Sequence, residues 1–214
     1  MPSDGRLVVV GTDTDVGKTV VSALLVQGLG ASYWKPVQCG ELELGGDSGR
    51  VAGLTGLRRG STPPCVLPEA YRLAAPASPN QAARDEGISV DASRLELPAV
   101  EGPLVVETAG GLLVPLRDDL MQIEQIKRWE LPVLLVARSG LGTLNHTLLS
   151  LEALAARTIP VLGLVLNGPL HPANRETLET VGKVPVLAEL TPQQELNQQT
   201  LQRVWDHAKL GGTG

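Results

Sequence analysis

At 214 residues and 43% hydrophobic, the chain suits one large α/β core, and with aromatics at 2% and no Phe that core falls to Val, Leu and Ala, which argues against stacking on single-stranded nucleic acid. A net charge of −5 with no basic run excludes a nucleic-acid or anionic-membrane surface, and Cys39 and Cys65 alone make neither a disulfide framework nor a metal cluster. No apolar run approaches the ~18 residues of a membrane span and the first residues show no basic-then-apolar leader, so a soluble cytoplasmic protein is expected.

Residues 7–10 are an apolar run read as a buried strand, and residues 20–29 are apolar over a length that suits a helix. Between them stands Gly11-Thr12-Asp13-Thr14-Asp15-Val16-Gly17-Lys18-Thr19. Strand, Gly-containing loop, Gly-Lys-Thr and helix is the arrangement of a phosphate-binding loop. Loop amides and the helix N-terminus face anionic oxygens, and the helix dipole favours negative charge there. Lys18 then reaches the β- and γ-phosphates, and the Thr19 hydroxyl sits on Mg²⁺. The loop is one residue longer than the common pattern, because Thr12 stands where the first Gly belongs and Gly11 lies one position further back.

Residues 32–37 predict a second strand, within Tyr33-Trp34-Lys35-Pro36-Val37-Gln38-Cys39-Gly40. A Lys beside a Pro at a strand end lies in the crevice. Alone, Lys35 reads as an ordinary surface Lys. Beside a phosphate loop it reads as a second cation for a transferred phosphoryl group, since adjacent strand ends open onto one crevice. Asp47, after Gly45-Gly46, fits the N-cap of a short helix over 51–57 and also a carboxylate near Mg²⁺. Residues 60–79, which hold the 69–73 segment and Pro76-Ala77-Ser78-Pro79, read as a long loop with a short turn, followed by a short helix over 80–86. Long loops in α/β enzymes serve as lids or interfaces.

Residues 104–107 predict a buried strand ending in Glu107-Thr108-Ala109-Gly110-Gly111. An acidic residue ending a strand beside the phosphate-loop strand occupies the Walker-B position. Thr19, Asp47 and Glu107 would supply the protein's share of an octahedral Mg²⁺ shell, and the glycines let backbone approach a ligand closely.

A helix over 120–129 and a strand over 132–137 lead to Arg138-Ser139-Gly140-Leu141-Gly142-Thr143-Leu144-Asn145-His146, a corner into an amphipathic helix over 143–157. Thr143 reads as the N-cap, and His146 as structural rather than catalytic. A strand over 159–167 ends in Asn167, whose carboxamide suits both an adenine edge and a turn before Gly168-Pro169. A helix over 175–181, a strand over 184–188, a terminal helix over 193–210 and a frayed tail at 211–214 complete the chain. The alternation predicts an α/β fold: one doubly wound, mostly parallel sheet with helices on both faces, P-loop NTPase-like, in a single domain over 1–214.

Together these motifs resemble the dethiobiotin synthetase family. The matching pieces are 11–19 with its lengthened loop, Lys-Pro-Val-Gln-Cys-Gly at 35–40, Asp47, Ala-Pro-Ala-Ser-Pro at 75–79, Glu-Thr-Ala-Gly-Gly at 107–111, Leu-Gly-Thr-Leu-Asn-His-Thr at 141–147 and Asn167. The resemblance implies a ligase of biotin biosynthesis. It takes ATP, Mg²⁺, CO₂ or bicarbonate and 7,8-diaminononanoate, works as a homodimer, and needs neither nucleic acid nor membrane. It implies catalytic roles for Lys18, Lys35 and Thr14, and nucleotide contacts from Asp15, Val16, Gly17, Lys18, Thr19 and Val20. Asn167 with Pro185, Val186 and Leu187 would read the base. Asp15, Lys35, Cys39, Thr108, Ala109, Gly110, Gly111 and Leu112 would shape the diamine pocket, with Gly142, Thr143 and Asn145 of the partner subunit. Three residues depart from the family: Cys39 stands for a Ser or Thr, Thr108 for a Gly, and Asn80 for a His. Strain is expected at Thr108 if its backbone must take positive φ. Two other classes compete. A partitioning-type ATPase switch carries an additional Lys early in the loop, which residues 12–15 lack, and an amidotransferase-type synthetase needs a glutaminase domain for which the chain has no room.

Overall fold

The computed structural model describes residues 1–60, 62–208 and 210. Ser61 (in the expected 60–79 loop), Lys209 (in the expected terminal helix) and the 211–214 tail lie outside the described residues. The elements, in order, are β1 (Arg6–Gly11), α1 (Lys18–Leu29), β2 (Ser32–Trp34), β3 (Val37–Cys39), α2 (Gly46–Thr55), β4 (Tyr71–Leu73), α3 (Pro79–Asp85), β5 (Leu104–Gly111), β6 (Pro115–Arg117), β7 (Leu120–Met121), α4 (Gln122–Trp129), β8 (Val133–Arg138), α5 (Thr143–Ala155), β9 (Val161–Asn167), α6 (Pro172–Gly182), β10 (Val186–Leu190) and α7 (Gln198–His207).

Six strands form one parallel sheet in the order β10-β9-β8-β1-β5-β2. From β1 the chain runs to the edge strand β2, returns to β5 beside β1, and then crosses to β8, β9 and β10 on the other side, so β1 lies at the switch point, between β5 and β8. Ligands of such sheets bind there, beyond the C-terminal strand ends. The side-chain alternation of β1 divides its apolar run between two cores. Leu7 and Val9 pack with Val21, Leu24 and Leu25 of α1, Val51 of α2 and Leu201 of α7. Val8 and Val10 pack with Ile123 and Ile126 of α4, Leu154 of α5 and Leu178 of α6. Each such side chain contributes about 1.5–3 kcal/mol by leaving water, which is how a core without Phe is held. Trp34 and Trp129 pack together in the second core, ring centroids 6.0 Å apart and tilted by 59°. Each indole N–H is satisfied, Trp34 donating to Pro68 O (3.1 Å) and Trp129 to Leu95 O (2.7 Å). Among the described residues no helix is long and apolar enough to cross a membrane.

The expected second strand, 32–37, divides in two. β2 pairs with β5, whereas β3 leaves the main sheet and pairs in parallel with β4. Pro36 has no N–H to donate and pushes Lys35 out of regular pairing, and the Pro36 carbonyl instead accepts from Tyr71 N (3.0 Å). The expected 60–79 loop therefore contains a strand. β3, β4 and α3 enclose a third apolar cluster with Val37, Tyr71, Leu73, Ala82 and Leu95 at its centre. Other boundaries shift by a few residues. α2 starts five residues before the expected 51, because Gly45 and Gly46 both take positive φ (80° and 63°) and begin the helix early. The expected 120–129 helix spends its first two residues in β7, and β10 lies two residues beyond the expected 184–188.

Candidate active site

The phosphate-type loop joins β1 to α1 and is shaped by two glycines. A Cβ on Gly11 would stand 2.8 Å from Asp13 O and 2.9 Å from Lys18 Cδ, so this position accepts Gly in place of the shifted first Gly. Gly17 caps α1 at φ 97°, where a Cβ would meet Asn167 Nδ2 at 2.1 Å. Asn167 Nδ2 donates to Val16 O (3.0 Å), so the end of β9 braces the loop. Arg138, at the end of β8, donates to Thr14 O (3.2 Å) from the other side. Lys18 lies along the loop and donates to Asp13 O (2.8 Å). Burial, with Lys35 nearby, lowers its ammonium pKa to about 8, against the opposing pull of Glu107, Asp47 and Asp13.

The first turn of α1, the end of β2, β5 and the first turn of α2 bring four charged or hydroxyl groups together. Thr19 Oγ1 stands 2.8 Å from Asp47 Oδ1 and 2.9 Å from Glu107 Oε1. Lys35 Nζ stands 2.5 Å from Asp47 Oδ2, 3.2 Å from Glu107 Oε1 and 3.1 Å from Thr108 O. Lys35 and Glu107 are 3% and 1% exposed, so this is a buried pair whose charges must be matched. Burial works to lower Lys35, but Glu107 and Asp47 outweigh it and raise its pKa. Asp47 is lowered: burial opposes, and Lys35 with the Thr19 hydroxyl prevails. A single Thr19 proton cannot serve both carboxylates, so one of the two close oxygen pairs lacks a hydrogen. Three hard oxygens converging in this way suit a small divalent cation such as Mg²⁺, which takes carboxylate, hydroxyl and phosphate oxygens.

Asp47 resolves its two readings. Gly45 is the N-cap, and Asp47 lies in the first turn with its side chain on Thr19 and Lys35 rather than on the helix amides. Gln38 steadies it, accepting from Asp47 N (3.0 Å) and donating to Gly40 O (3.1 Å). Thr143 is likewise the first residue of α5, not its cap. Gly142 caps at φ 91°, and Thr143 Oγ1 lies 3.2 Å from Thr147 Oγ1. Thr108 shows no positive φ; the left-handed residue is Gly110, at 64°. The Thr108 hydroxyl donates to Val9 O (3.2 Å), so the departure from Gly is accommodated without strain.

One cleft of about 940 Å³ brings together Thr14, Asp15, Gly17, Lys18, Thr19, Val20, Lys35, Cys39, Asp47, Glu107, Ala109, Gly110 and Asn167. Val16, Thr108 and Leu112 are buried and do not line the cleft. The Gly111 carbonyl accepts from Gln122 Nε2 (2.7 Å). Gly142, Thr143, Asn145 and His146 do not line the cleft. Pro185, Val186 and Leu187 require a correction. They sit at the start of β10, with Pro185 O accepting from Leu164 N, at the sheet edge opposite the cleft. The wall of the cleft at this strand is Leu190, Thr191, Pro192 and Gln193, at the C-terminal end of β10. Burial pushes the Cys39 thiol up to about 11, so it stays neutral near pH 7.

Tyr33, Gln38 and Arg138 were not expected at the site. Tyr33, fully buried on β2, donates its hydroxyl to Glu107 Oε2 (2.9 Å). The only sequence signal was a phenol in a strand otherwise built for burial. Desolvation, with Glu107 and Asp47 nearby, holds its pKa well above the ordinary value, so it remains a donor.

A family model described as "AAA domain" matches residues 5–200. The chain is 49% identical over 197 residues to the ATP-dependent dethiobiotin synthetase BioD of Rhodopseudomonas palustris (strain BisB18), covering 92% of each chain. It is 50% identical over 184 residues to the BioD of Paramagnetospirillum magneticum, covering 86% of each. Among solved structures, a ParA family ATPase from Chlorobium tepidum TLS superposes with a TM-score of 0.53 at 11% identity, over 98% of this chain and 95% of that one, a likeness of fold alone.

Proposed function

The chain belongs to the ATP-dependent dethiobiotin synthetase family of ligases, and we propose that its cleft closes the ureido ring of dethiobiotin from 7,8-diaminononanoate and CO₂ as ATP becomes ADP and phosphate. One amine loses a proton and adds CO₂, giving a carbamate. A carbamate oxygen attacks the γ-phosphorus and ADP leaves, giving a carbamic-phosphoric anhydride. The second amine attacks the carbonyl carbon and loses a proton, and phosphate departs. None of these steps needs a covalent enzyme intermediate, so positioning and charge compensation carry the catalysis.

Lys18 and the loop amides from Thr14 to Thr19 hold the phosphates, and Lys35 offsets charge on the oxygens of the transferred group. Thr19, Asp47 and Glu107 would hold Mg²⁺, which would supply positive charge to offset that of the phosphates. Cys39, Ala109 and Gly110 border the diamine side. Asn167 faces the nucleotide, and Leu190 to Gln193 take the base-side role first given to 185–187. The observation that carries this reading is the convergence of Lys18, at the start of α1, and Lys35, just after β2, on one cleft with Thr19, Asp47 and Glu107. We also assign a cytoplasmic homodimer. The exposed Leu141 and Leu149 flank Gly142, Thr143 and Asn145, which turn away from their own cleft, and this supports a second subunit there.

The test is phosphate release from MgATP, with bicarbonate, with and without the diamine. Release that needs both, with dethiobiotin formed, is expected. Release indifferent to the diamine would overturn the reading in favour of an ATPase switch.

A further inference from the structure

Glu107 is held by two unlike sets of contacts. Its Oε1 meets Thr19 Oγ1 (2.9 Å) and Lys35 Nζ (3.2 Å). Its Oε2 meets the Tyr33 hydroxyl alone among the described residues, at 2.9 Å. In the proposed reaction the first set would change: a metal ion would come between Oε1 and Thr19 Oγ1, and Lys35 would turn to the transferred group. The second set does not change. Tyr33 is fully buried, is paired on β2 opposite Val105 of β5, and does not line the cleft. A carboxylate can rotate about its last torsion with little resistance, so once Lys35 lets go, little else fixes the plane of Glu107.

We infer that Tyr33 is a positioning residue for the reaction: its hydroxyl anchors Glu107 Oε2 so that Oε1 stays aimed at Thr19 and the metal after Lys35 leaves. The inference rests on Glu107 being a metal ligand. Without the hydroxyl, a buried carboxylate oxygen loses its donor and must turn to find another. Partners that orient metal ligands in this way are worth about 10–100-fold in metal affinity.

The test is Mn²⁺ binding in the presence of ADP, followed by electron paramagnetic resonance, in the native protein, Tyr33→Phe, Glu107→Gln and the double variant. Tyr33→Phe is expected to weaken Mn²⁺ by about 10-fold and to leave metal-free ADP binding unchanged. Turnover should recover at high Mg²⁺, which a merely structural defect would not do. In the double variant, Tyr33→Phe should add no further loss. Native-like Mn²⁺ binding by Tyr33→Phe, with Glu107→Gln weakened, overturns the inference alone; native-like binding by Glu107→Gln overturns the metal reading beneath it. Should Tyr33→Phe not fold, 3-fluorotyrosine keeps the ring and sharpens the donor. Tighter Mn²⁺ then supports the anchor, and unchanged Mn²⁺ overturns it. The other tyrosine, Tyr71, accepts from Asp91 N in the β3–β4 lobe and does not line the cleft.

Discussion

Lys18 and Lys35 carry their charges under opposite constraints. Burial brings Lys18 down to about 8, whereas Glu107 and Asp47 hold Lys35 above the ordinary lysine value despite its burial. In the nucleotide-free enzyme, mild alkali therefore discharges the first lysine and spares the second.

The KM for MgATP should rise as pH climbs through about 8, because neutral Lys18 cannot attract phosphate. Stability should move the other way. The unfolded chain keeps the Lys18 proton up to about 10.5 and the folded one only to about 8, so between these values the unfolded state binds more protons and stability rises with pH. Urea unfolding of the native protein and Lys18→Met at both ends of that window isolates the effect, as their difference.

Lys18→Ala should reduce turnover by about 10²–10³-fold, the usual loss for a group that stabilises developing charge. Steady-state phosphate release measures it, and a near-native rate would remove Lys18 from the phosphate site.

Glu107→Gln should raise the Mg²⁺ needed for half-maximal rate by about 10-fold, since an amide is a poorer ligand and gives Lys35 and Thr19 no charge to meet. An unchanged Mg²⁺ titration would exclude Glu107 from the metal site.

Cys39→Ser should keep turnover within about 2-fold. The Cys39 thiol is half-buried, stays protonated, and a hydroxyl is the stronger donor there. The KM for the diamine is the quantity to follow; complete loss would show that the sulfur itself is required.

Asn167→Ala should weaken ATP, GTP and tripolyphosphate alike, because its Nδ2 braces the loop through Val16 O. A loss confined to ATP, read by calorimetry, would show that base recognition dominates.

What the sequence disclosed was what neighbours in sequence decide. The β1 run, the Gly-Lys-Thr turn and α1 are consecutive, so their order alone implies the phosphate loop. Lys35 was legible because Pro36 cannot continue a sheet. The Tyr33–Glu107 bond was not, since it spans 74 positions and depends on the register that sets Tyr33 opposite Val105. The base-side wall was misplaced for a similar reason. Residues 184–190 are apolar enough to start a strand at several points, and a two-residue shift decides which end of β10 reaches the cleft. Asp47 was ambiguous because Asp serves caps and metals equally well, and only Gln38, from β3, fixes its backbone for the second use.

The division of one expected strand at Lys35-Pro36 has an evolutionary consequence. Residues 32–34 belong to the sheet that carries the phosphate chemistry, whereas residues 37–39 belong to a separate small sheet with its own apolar centre. Lys35 is the joint between the two modules. The acceptor side can therefore be rebuilt, residue by residue, along 71–85, in β4 and α3, without moving Asp47 or the other groups that handle ATP. A descendant enzyme could exchange the diamine for another nucleophile and inherit the phosphate machinery unaltered.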